Sequence, residues 1–100
     1  MNITINGKTY ESGKITAAMT RRALQLNAEA LDAAAAAEKI KETKNAAEAS
    51  ELLAFIGTNI DEKIALVCDT FGNAFTHDEL LEAFSNEELN GAIQAITRGK

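Results

Sequence analysis

Ile3-Thr4-Ile5-Asn6-Gly7-Lys8-Thr9-Tyr10 decides the fold class, because it reads as sheet while the rest of the chain reads as helix. Two β-favouring runs flank Asn6-Gly7, the dipeptide that best supplies the two positive-φ positions of a type I′ turn. Alternation places Ile3 and Ile5 on one face, with Lys8 and Tyr10 sharing a face across the turn. An isolated two-stranded hairpin is marginal in water, so its apolar face needs cover. We expect it to dock on a helix or to extend a sheet between subunits.

Beyond Gly13 the absence of Pro and the abundance of Ala, Glu, Lys and Leu make helix the default. Thr16 is placed to cap a first helix running to about Lys41. Met19, Ala23, Leu26, Ala30, Ala33, Ala37 and Ile40 recur at spacings of four and three, and Leu24 and Leu31 widen that stripe. The same seam suits an amphipathic helix packing on its own chain or a close helix pair between chains. Asn45 then caps a second helix with Leu52, Leu53, Ile56, Ile60, Ile64, Val67 and Phe71 on one side. Gly57-Thr58 marks either a kink or a break with a new cap. Gly72 supplies a left-handed end to this helix. Thr76 with Glu79 and Ser85 with Glu88 are capping-box patterns, opening a short helix through Phe84 and a last one with Leu89, Ala92, Ile93 and Ile96 inward. The expected fold is mainly α with a small N-terminal β-hairpin (α+β): a hairpin over 1–13, two long helices over 16–72 and two short helices over 76–98, in a single domain spanning 1–100. Residues 98–100 are expected to fray.

Composition bounds the function. The 100 residues include 19 Ala, one Cys, one His and no Trp, with a net charge of −5. Ala gains little by burial, so large side chains for a core are scarce. One Cys and one His cannot build a disulfide or a zinc site. No run approaches the roughly 20 apolar residues of a membrane span, and no basic cluster offers a footprint for nucleic acid. The reading is a soluble cytoplasmic protein with no cofactor and no metal.

Chemical motifs are equally sparse. No nucleophile or orienting carboxylate assembles around His77 in the sequence, which reads as a solvent-facing first-turn residue. Cys68 lies among apolar residues and reads as a small core side chain. A calcium loop starting at Asp69 fails on spacing, with Phe at its third position and Leu at its twelfth. The Asp-Ser-Leu attachment signature of acyl carrier proteins is absent, as is any glycine-rich phosphate loop. The chain is read as not an enzyme. Surface for protein contact remains: Phe55 beside the Ile56 stripe, and Phe71 and Phe75 around the Gly72 corner, either fill a helix junction or help form a groove for another protein's helix. Leu52, Phe55, Ile56, Ile60, Phe71 and Phe75 are the candidate partner-binding residues.

The hairpin, the following Lys14-Ile15-Thr16-Ala17 and the later Phe71-Gly72-Asn73-Ala74-Phe75-Thr76-His77-Asp78-Glu79-Leu80-Leu81 resemble the tail assembly chaperones of long-tailed bacteriophages and prophages. Order and spacing agree over most of the chain, although the Ala-rich middle from Ala28 to Ala49 adds nothing. The resemblance implies a non-catalytic protein of the host cytoplasm, not retained in the mature virion. It implies binding and solubilising the tape-measure protein, assisting tail tube assembly, contact with the tail tube protein, and self-association into a homo-oligomer. It also implies a longer product made by frameshifting, with which the ending is compatible, since Arg98-Gly99-Lys100 can be encoded by codons that contain a slippery G GGA AAG heptamer. The competing reading is a small helical adaptor or regulatory protein that binds one folded partner.

Overall fold

A computed structural model describes residues 1–99. Strands β1 (Asn2–Ile5) and β2 (Lys8–Glu11) pair antiparallel, followed by helices α1 (Ala17–Glu42), α2 (Ala46–Thr70), α3 (His77–Ala83) and α4 (Asn86–Thr97). The two long and two short helices after a hairpin are the architecture expected. Asn6 at φ 52° and Gly7 at φ 81° supply the two left-handed positions of the tight turn. Ile3 pairs with Tyr10 and Ile5 with Lys8. Ile5, only 2% exposed, and Ile3 bury that face against the helices. Of the two expectations for the hairpin, docking within the chain is the one observed.

The helix ends form where local chemistry directs them. Thr16 accepts from the Met19 amide at 3.2 Å, and the Asn45 carboxamide oxygen accepts from Ala47 at 3.0 Å and Glu48 at 3.3 Å. Both capping boxes close: Thr76 with Glu79 and Ser85 with Glu88 exchange side-chain and backbone bonds in both directions. At the end of α2, Gly72 at φ 63° turns the chain. Asn73 N–H then reaches the Cys68 carbonyl at 2.8 Å and Gly72 N–H the Asp69 carbonyl at 3.1 Å, the paired bonds of a Schellman motif. Arg98 caps α4 and Gly99 follows with positive φ, while Lys100, the last of the three residues expected to fray, lies outside the described residues.

Helix α2 runs unbroken through Gly57, which settles the choice left open there. Thr58 opens no new helix. A Cβ built on Gly57 meets nothing within 4 Å, so no close packing requires glycine at this position. Gly57→Ala is therefore expected to stabilise the chain by about 1 kcal/mol through helix propensity and a less flexible unfolded state. Urea denaturation of the two proteins checks this, with an increased midpoint expected for the variant.

The core lies at one end of an elongated molecule. Ile64, Leu66, Val67 and Cys68 of α2 meet Leu80 of α3, Leu89, Ile93 and Ile96 of α4, and the hairpin isoleucines. Helix α1 contributes only Ala23 and Leu26 to this cluster. The Thr20 hydroxyl donates to the Ile96 carbonyl at 3.3 Å, and the Asn27 amide donates to the Thr97 hydroxyl at 3.3 Å, tying the C-terminal end of α4 to the first half of α1. The second half of the helix pair is different: within residues 27–58 only Ala36 is buried. The radius of gyration, 14.7 Å, exceeds the roughly 13 Å of a compact chain of this length, and the extents of 45 × 28 × 17 Å show the elongation. The 26 residues of α1 alone span about 39 Å, which forces the overhang.

Candidate partner-binding site

The overhanging half of α1 and α2 is an arm whose contents follow from the sequence of α1. Ala33 to Ala37 bring no side chain large enough to form a core, so apolar groups of α2 that face α1 remain partly open to solvent. Leu52, Ile56 and Ile60 are half-buried along that line. Phe55 is 41% exposed, and Leu53 and Leu31 are 59% and 75% exposed. Near the tip, Lys39 and Glu48 pair at 3.2 Å, an exposed contact of the kind worth at most about 1 kcal/mol. The arm is thus a helix pair held by small contacts, with large apolar side chains on its outside.

The structure divides the candidate residues into two groups. Leu52, Phe55, Ile56 and Ile60 lie on the arm or at its base. Phe71 and Phe75 do not: they are 5% and 4% exposed and belong to the core. The Phe75 ring meets Tyr10 edge-on at 5.1 Å and Phe71 at 5.7 Å, so the pair joins the hairpin to the Gly72 corner. The reading of these two rings as partner contacts is corrected accordingly, because the hairpin covers them. Leu24, Leu31 and Leu53, expected on inward stripes, face outward. Helix α1 packs against both α2 and α4, so its inner face is divided between two partners rather than following one seam. Ala36 is buried where Ala37 was expected to be, and Ala37 lines an open groove.

That groove, of about 290 Å³, runs between the alanine face of α1, Ile56 and Ile60 of α2, and Leu89 near the start of α4. It exists because α4 is short: its first turn, at Asn86, lies beside the groove and the helix extends no further over the arm. Lys63 is set in its wall and is only 6% exposed. The Lys63 ammonium donates to the Asn90 carboxamide oxygen at 2.9 Å, and burial pushes its pKa below the usual lysine range. The periodicity of apolar residues gave no reason to single this lysine out. Asn59, four residues earlier on the same side of α2, is also buried and donates to the Leu26 carbonyl at 3.4 Å.

The remaining chemistry-bearing side chains stand apart from the arm. Cys68 is fully buried, and burial together with the neighbouring Asp69 charge raises its thiol pKa, which disfavours the reactive thiolate. His77 is exposed at the first residue of α3. Among the described residues, no group of three or more His, Cys, Asp and Glu side chains is placed to hold a metal ion, and no helix is long and apolar enough to cross a membrane.

A well-packed end carrying an arm with exposed apolar side chains defines a small helical protein with an N-terminal hairpin. The family model described as phage tail chaperone protein matches residues 1–99, and the chain belongs to that family. No curated protein and no solved structure matches it significantly.

Proposed function

We propose that this protein is a non-catalytic assembly chaperone, acting in the host cytoplasm as one domain over residues 1–100, that binds the tape-measure protein and keeps it soluble while the tail tube is built. The observation that supports this reading most directly is the arm, in which one residue of 27–58 is buried while Leu31, Leu53 and Phe55 stand exposed. Leu52, Phe55, Ile56 and Ile60 are the proposed contact residues, with Leu53 extending their surface. A long apolar client held by many copies, each through a modest patch, gains avidity without any single strong contact. Self-association of this chain and contact with the tail tube protein belong to the same proposal.

Co-expression with a tape-measure protein from the same genome is the test. The expected result is a tape measure that moves from the insoluble to the soluble fraction and co-purifies with this chain in a complex containing several copies, as read by light scattering. A tape measure no more soluble with the chaperone than without it would overturn the proposal. A stoichiometric complex with one folded protein instead would support the adaptor reading.

A further inference from the structure

Lys63 is the single charged residue among those lining the groove between α1, α2 and the start of α4, and its surroundings do not balance it. Its Nζ has one hydrogen bond, to a neutral carboxamide, and it forms none of the ion pairs found among the described residues. An ammonium has three protons to donate and loses favourable hydration when buried, so a site holding one without a carboxylate is electrostatically incomplete. The walls on either side are Ala33, Ala37, Ile56, Ile60 and Leu89, which offer an apolar partner no charged competitor. The first turn of the adjacent α4 carries Glu87 and Glu88, which answer that helix's own dipole; Glu88 is held there by the Ser85 capping box, and neither pairs with Lys63.

We propose that this groove receives an amphipathic helix of the tape-measure protein whose apolar face carries one carboxylate, and that this carboxylate pairs with Lys63. The inference rests on the chaperone reading above and specifies the chemistry of the client segment. Small alanines let a helix backbone come close, Ile56 and Ile60 meet its apolar side chains, and the acid supplies the missing counter-charge. A purely apolar segment would close the groove over an unpaired ammonium and be disfavoured, so Lys63 selects among hydrophobic helices.

The test uses the full chain and overlapping peptides covering a tape-measure protein from the same genome. Peptides that bind the wild type are expected to carry Asp or Glu with Leu, Ile, Val or Ala three and four residues away. Replacing that acid by its amide should weaken binding about tenfold or more, as expected for removing one partner of a desolvated charge pair. Lys63→Met should lose the same factor and become indifferent to the acid-to-amide exchange, while melting at or above the wild-type temperature. If Lys63→Met does not fold, the amide exchange against the wild type decides alone. Wild-type affinity in Lys63→Met, or wild-type indifference to the amide exchange, overturns this inference and leaves the chaperone reading standing. Failure of the wild type to bind any tape-measure peptide or the full-length tape measure overturns both.

Discussion

Leu66→Ala is expected to cost about 2–5 kcal/mol, out of a total near 5–15 kcal/mol for a domain of this size. Leu66 is fully buried in the cluster shared by α2, α3, α4 and the hairpin. Its truncation loses transfer free energy and leaves a cavity that helices anchored at both ends by caps cannot readily collapse. The drop in Tm should be on the order of 10 °C or more. Leu31→Ala, which removes the same atoms from a side chain 75% exposed, should stay within about 0.5 kcal/mol of the wild type. Thermal and urea denaturation of the pair checks both numbers together. Equal losses in the two variants would mean that Leu31 is covered in solution, as it would be in a stable oligomer.

The second large effect is expected on binding rather than folding. Leu53→Ser with Phe55→Ser, at side chains 59% and 41% exposed, should leave circular dichroism and the melting curve nearly unchanged. A large side chain inside an interface contributes about 2 kcal/mol when truncated and one at its edge about 1 kcal/mol, so the double variant should bind the tape measure about a hundredfold less tightly. In co-expression it should leave the tape measure in the insoluble fraction. A double variant that solubilises the tape measure as well as the wild type does would place the client site elsewhere on the molecule.

The parts of the fold that were readable in advance are those with local causes. Asn6-Gly7, the two capping boxes and Gly72 each specify backbone angles or hydrogen bonds within a few residues, and each appears where the sequence placed it. Side-chain orientation is not local in this way. Phe71 and Phe75 face inward because the hairpin returns over them, while Phe55, one residue from the half-buried Ile56, is left 41% exposed. Both outcomes depend on where distant elements dock, which periodicity does not encode. Lys63 was invisible for a related reason: a lysine on an amphipathic helix normally marks the solvent face, and only the packing of α1 and α4 around it buries it. Gly57 was ambiguous because a glycine lowers helix propensity without showing whether tertiary contacts carry the helix through.

The uneven distribution of buried side chains along the helix pair has a mechanical consequence. Opening free energy is set by local burial, so the arm and the packed end need not open together. Residues 30–56, with Ala36 as their one buried side chain, can fray or splay at a small cost while the cluster around Leu66 and Ile93 stays closed. Such a molecule combines a rigid base with a compliant arm: under the proposed chaperone function, the deformation needed to follow an irregular helical client would be confined to the arm. Release of such a client would be eased in the same way, because an arm that loosens cheaply does not require the rest of the protein to unfold.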